Sequence, residues 1–127
     1  MNALLDTHIV LWWFFEPKRL SRKAHGYLSD GDNRPLVSAA TAWEIAIKVS
    51  QGKLHALPLI IDFAGFITDK GFVELPITID HAVRAGLLPG HHHDPFDRIL
   101  IAQAQSLNVP ILSADKVFDR YDVKRLW

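Results

Sequence analysis

There is no cysteine among the 127 residues, so the chain has neither a disulfide framework nor a thiolate metal site, and the expected compartment is the cytoplasm. An excess of charge of one sign is missing as well. Fourteen Lys and Arg meet fourteen Asp and Glu, for a formal net charge of zero. A dedicated nucleic-acid binder carries a basic excess that releases counterions from phosphates. Its absence speaks against a simple binding module: any action on nucleic acid must come from a local site, a metal ion or a multimer. Long apolar runs are also lacking. Asp6 interrupts the first one, which has no basic flank of the signal-peptide kind, so neither a membrane span nor an export signal is expected. What remains is 49% apolar and 22% charged, ordinary for a soluble protein, and long enough for one domain over residues 1–127.

Short apolar runs alternate with helical patterns. Strands are expected in "NALLD" ending at Asp6, at Leu36–Val37, over Phe72–Leu75 and Val109–Leu112, and in the closing "YDVKRLW". Helices are expected over Leu20–Leu28 behind Ser21, Ala40–Gln51 stopped by Gly52, Ile60–Lys70 closed by Gly71, Ile79–Leu87 and Pro95–Ser106. Within Ala40–Gln51, the spacing points Trp43, Ile47 and Val49 inward. Strands separated by helices predict an α/β fold with a mainly parallel sheet. "IVLWWFF", Ile9–Phe15, is apolar all round. It reads mostly as a buried helix, with enough excess bulk to serve a dimer or a partner's helix as well.

In open parallel sheets, ligand chemistry gathers outside the carboxyl ends of the strands. Asp6 ends the first strand, Glu44 lies in the first turns of the helix after the second, Asp94 and Asp97 open the helix before the fourth, and Asp115 ends the fourth. Each acid also has a capping explanation. Asp6 could cap a helix near His8, Thr41 and Glu44 have capping-box spacing, Asp94 precedes a proline at the first helical position, and Asp115 could cap "DKVF". Caps, however, do not require several acids to face one crevice. A carboxylate cluster calls for a cation, and hard oxygen ligands suit Mg2+ or Mn2+, which can activate water for phosphodiester cleavage. The three histidines His91, His92 and His93 lack the spacing of a zinc site. Arg98 could touch a phosphate or form a solvated ion pair, and Lys48 lies one turn from Glu44.

Together "LLDTHIVLWW", "VSAATAWEIAIKVSQGKL", "HHHDPFDRILIAQAQ" and "ILSAD" resemble, in order and over nearly the whole chain, the PIN-domain ribonucleases of the VapC toxin type. The resemblance implies a three-layer α/β/α fold with a mainly parallel central sheet and an acidic pocket for Mg2+ or Mn2+. By position, the family's acidic quartet falls on Asp6, Glu44, Asp97 and Asp115, as metal ligands and catalytic residues. Thr7, Ser113, Asp94 and Arg98 fall in supporting places, with Asp94 chiefly the cap, and His92 matches a histidine common before "DPFDR". The implied activity is endoribonucleolytic cleavage by metal-activated water, leaving 5′-phosphate and 3′-hydroxyl ends. The implied partners are RNA, a cognate VapB-like antitoxin and a second copy in a homodimer, with no membrane. A haloacid-dehalogenase-like phosphatase is disfavoured because "DTH" lacks a second aspartate two positions after Asp6. A non-catalytic module on the same fold and a DNA-directed nuclease are the remaining alternatives.

Overall fold

Asn2–Leu5 forms the first strand, β1, and its three apolar residues are fully buried on both faces, as a central parallel strand requires. The computed structural model describes residues Met1–Trp127. β2 (Arg34–Ser38), β3 (Val73–Leu75), β4 (Ile111–Leu112) and β5 (Arg125–Leu126) complete a five-stranded sheet in the order β3-β2-β1-β4-β5, every pairing parallel. Leu4 pairs with Leu36 on one side and Ile111 on the other. The strand order therefore reverses at β1, the switch point where a crevice opens beyond the strand ends.

Alternation along the strands divides the core. Ala3, Leu5, Val37 and Leu112 face a layer built from α1 (Thr7–Phe15), α2 (Arg22–Ser29), α3 (Ala39–Ser50), α4 (Leu57–Ile60) and α5 (Phe63–Asp69). Leu4, Leu36 and Ile111 face α7 (Pro95–Leu107), against which α6 (Ile79–Leu87) packs. The result is the expected α/β/α sandwich. No helix is long and apolar enough to cross a membrane.

Several local expectations need correcting. The helix expected over Ile60–Lys70 divides, because Asp62 accepts the Gly65 amide at 3.3 Å and opens α5 as a separate helix. α3 starts one residue early, with Ser38 as its cap: Ser38 Oγ accepts the Ala40 amide at 3.0 Å. No Thr41–Glu44 capping box forms. With that phase Ala40, Thr41 and Ile45 turn inward, Ile47 and Val49 are half-buried, and Trp43 points outward with 61% of its surface exposed. The α1 stretch is largely core, since Ile9 and Val10 are fully buried and Leu11 to Phe14 pack on them. Phe15 alone in that run is exposed.

Candidate active site

The carboxyl edge of β1 and β4 is tied together by one serine. Ser113, fully buried just after β4, donates its hydroxyl to Asp6 Oδ2 at 2.7 Å and accepts the Asp115 amide at 3.0 Å. Asp6 is itself 4% exposed, and its side chain caps nothing, so its cap role is replaced by this bond. A buried carboxylate needs such a partner to offset its desolvation. Beside it, Thr7 and Thr41 share a buried hydroxyl–hydroxyl bond of 3.1 Å that pins the start of α1 to α3.

Glu44 sits one turn further along α3, half-buried, and pairs with Lys48 at 3.2 Å. Asp115 is exposed at the opening of the 3-10 turn Lys116–Arg120, where Oδ1 accepts the Val117 amide at 2.9 Å. Asp94 accepts the Asp97 amide at 3.0 Å and caps α7, with Pro95 in the first turn. Asp97 Oδ2 in turn meets His92 Nε2 at 2.8 Å.

Among these groups Asp97 is the most perturbed. Burial pushes its carboxyl up to about 7, the negative charges of Asp6 and Asp94 push the same way, and the His92 contact holds it back. The charge of Asp6 thus reaches Asp97 across two separate segments. His8 is also raised. Its contact with Asp6, 3.9 Å from Nδ1 to Oδ1, outweighs burial, with the charges of Asp6 and Glu44 aiding and Lys48 opposing. Asp6 and Asp115 share the wall of a cavity of about 250 Å3 with His8, Trp12, Arg19 and Ala114.

Asp6 therefore acts on Asp97 through its charge and shares a cavity with Asp115, while Glu44 is linked to this edge only through its charge effect on His8. The tightest set of potential ligand atoms is different: one each from His92, Asp94 and Asp97, all within 4.8 Å of one another. Two bonds internal to that set, the Asp94 cap and the His92–Asp97 contact, account for its closeness.

Arg98 departs from both expectations. It makes no ion pair and does not face the crevice as a free cation. Nη1 donates to Pro89 O and His92 O at 3.0 Å each, and Nη2 to Ala85 O and Leu88 O at 2.8 Å each. It is a clamp for the loop that carries His92. The sequence offers His8 only as a helix start and Thr41 only as a capping-box partner of Glu44, not as site residues; the further signal is their place in "DTH" and one turn before Glu44.

A PIN domain model matches residues 3–124. The chain belongs to the PIN-domain family. It is 34% identical over 109 residues to Ribonuclease VapC22 of Mycobacterium tuberculosis, an alignment spanning 81% of this chain and 78% of that protein. In fold it resembles VapBC2 from Rickettsia felis bound to a promoter DNA fragment, with TM-score 0.76, 14% identity, and coverage of 99% of this chain and 98% of that one. VapBC-1 from nontypeable Haemophilus influenzae gives TM-score 0.64, 20% identity, and coverage of 99% and 97%.

Proposed function

We propose that this chain is a Mg2+- or Mn2+-dependent endoribonuclease, the toxin of a VapBC-type pair, acting in the cytoplasm on RNA. The observation that carries the proposal is the convergence at the switch point: buried Asp6, fixed by Ser113, feels Asp97 from the start of α7 and shares a cavity with Asp115. Similarity to a protein named Ribonuclease VapC22, and a fold shared with VapBC proteins, support the toxin assignment. They also support a VapB-like antitoxin and a homodimer as partners.

The donor set fits a hard divalent cation. Every member of the quartet offers carboxylate oxygen, no thiol competes, and the Asp97 carboxyl is raised to about 7, first by burial and then by the charges of Asp6 and Asp94, a cost that a cation would relieve. Asp6, Glu44, Asp97 and Asp115 would hold the ion. When bound, it would supply the positive field that favours deprotonation of water and the charge building on a phosphodiester. The chain's own work is positional. Ser113 fixes the Asp6 carboxylate while supporting the backbone of Asp115, the Thr7–Thr41 bond sets α1 against α3, and Asp94 aims the first turn of α7. The amide end of α7 also favours negative charge at Asp97.

Replacing Asp6 or Asp97 with Ala should abolish cleavage of single-stranded RNA in Mn2+, by several orders of magnitude, with circular dichroism unchanged. EDTA should do the same to the wild type. Single-stranded DNA offered in parallel identifies the preferred substrate. Full cleavage by purified Asp97→Ala would remove Asp97 from the site.

A further inference from the structure

An acidic pocket on a chain of zero net charge must still attract a polyanion, and most basic side chains near this edge are already engaged. Arg98 serves four carbonyls. Arg125 forks onto both oxygens of Asp119 and donates to Ser113 O, and Lys48 is paired with Glu44. Arg19 is different. It lines the cavity walled by Asp6 and Asp115, and its one ion pair, Nη1 to Glu16 Oε2 at 3.0 Å, joins two side chains that are each more than half exposed. Exposed pairs of that kind are weak and easily exchanged.

Its guanidinium is nevertheless held in place. The carbon at its centre lies 4.5 Å from the centroid of the Trp12 ring, which is itself wedged between His8 and Trp127 at 5.9 and 6.1 Å. Stacking on an aromatic face occupies the plane of an arginine and leaves its N–H edge available, the geometry that suits bidentate contact with a phosphate.

We infer that Arg19 binds a backbone phosphate of the RNA strand one linkage from the bond that is cut, which makes it a positioning residue for the scissile phosphate. The inference rests on the ribonuclease assignment above. A protein carboxylate, such as one from an antitoxin, is the competing occupant. RNA is favoured because Arg19 lines the same cavity as Asp6 and Asp115, so a strand lying across those acids passes its guanidinium.

The test compares wild type, Arg19→Gln and Arg19→Lys on a short single-stranded RNA in Mn2+ over a range of salt. Arg19→Gln should raise KM roughly ten- to hundredfold with kcat little changed, and should make the dependence of log KM on log salt shallower by about 0.7. Arg19→Lys should keep the salt dependence and recover part of the KM. A single methylphosphonate at the flanking linkage should erase the difference between wild type and Arg19→Gln. If wild type cuts the RNA and Arg19→Gln matches it in KM and salt slope, the inference falls while the ribonuclease assignment stands. The same follows if the KM defect persists on the methylphosphonate, or if Arg19→Gln weakens only antitoxin binding. Wild type that cuts no RNA overturns both.

Discussion

Asp97 meets opposing demands: the cap geometry wants a residue whose amide can reach Asp94, while the crevice makes its charge unwelcome in the cation-free chain. Its carboxyl is lifted from 3.8 to about 7, first by burial and then by Asp6 and Asp94. A folded value above the unfolded one means the fold prefers neutral Asp97. That preference is fully kept below about pH 4, is lost progressively as pH rises, and is gone above about pH 7. On this group's account, metal-free protein should lose stability across that window, by up to about 4 kcal/mol. Asp97→Asn, neutral at every pH, should melt like wild type near pH 4 and clearly higher at pH 8. Asp94→Asn keeps the cap, because Asn accepts an amide as well as Asp does, and removes only one of the two repelling charges. Its gain at pH 8 should be smaller. Calorimetry in EDTA at both pH values checks the pair, and an Asp97→Asn variant that melts below wild type at pH 8 would make its capping-turn contacts the dominant effect.

At the scale of elements, the α6–α7 connection depends on Arg98. The Ala85 and Leu88 carbonyls lie at the end of α6, where Ala85 O receives only the long amide bond of Leu88 at 3.4 Å, and Pro89 and His92 lie in the loop that follows. Tyr121 also donates to Pro89 O at 2.9 Å and to His92 O at 3.5 Å, so Leu88 O is the acceptor that depends most on Arg98. Arg98→Met should cost about 1–3 kcal/mol in urea unfolding, because it strands the part-buried Leu88 carbonyl and takes one donor from three others. Arg98→Lys should recover only part, since one ammonium cannot span the fork. RNA cleavage should fall with stability, because His92 travels with the loop. The sequence showed this junction only halfway. Asp94-Pro95 announced the cap and the start of α7, and Ser21 announced α2 with its 3.0 Å bond to the Ala24 amide. Local signals of that kind are written within four residues. The use of Arg98 is not, because its acceptors lie up to 13 residues away. Nor is the Ser113–Asp6 bond, whose partners are 107 positions apart and meet only because β1 pairs with β4. Trp43 was misplaced for a related reason: Ser38 sets the helix phase, and Thr41 takes the inward place to meet Thr7. The placement of the four acids at strand ends and helix starts was legible, since that is the edge where a parallel sheet gathers ligand chemistry. Their inequality was not. Burial separates Asp6 from exposed Asp115, and burial is a property of the whole packing.

For the whole molecule, a net charge of zero coexists with a crevice where burial and the charges of Asp6 and Asp94 oppose ionisation of Asp97. On the proposed metal role, Asp97 takes a proton at low pH and faces a cation at high pH. Those two compete for the same carboxylate. Since Asp97 keeps its proton up to about pH 7, an ion that uses Asp97 must displace that proton below this point. Apparent Mn2+ affinity should therefore weaken by about fifteenfold between pH 7 and 5.5 from this group alone, and level off above about pH 7.5. The effect is visible in stability. An ion at a hundred times its dissociation constant adds about 2.7 kcal/mol, so the melting-temperature gain at fixed Mn2+ should shrink steadily as the solution is acidified. In Asp97→Asn, both the gain and its pH dependence should largely vanish, although the metal-free variant is the more stable protein above pH 7. Titration calorimetry at pH 6.0 and 8.0, in two buffers of different ionisation enthalpy, would show close to one proton released per ion at pH 6.0 and far less at pH 8.0. Equal affinity at the two pH values, or a full Mn2+ gain in Asp97→Asn, would take Asp97 out of the ligand set and leave Asp6 as the centre of whatever ion the crevice holds.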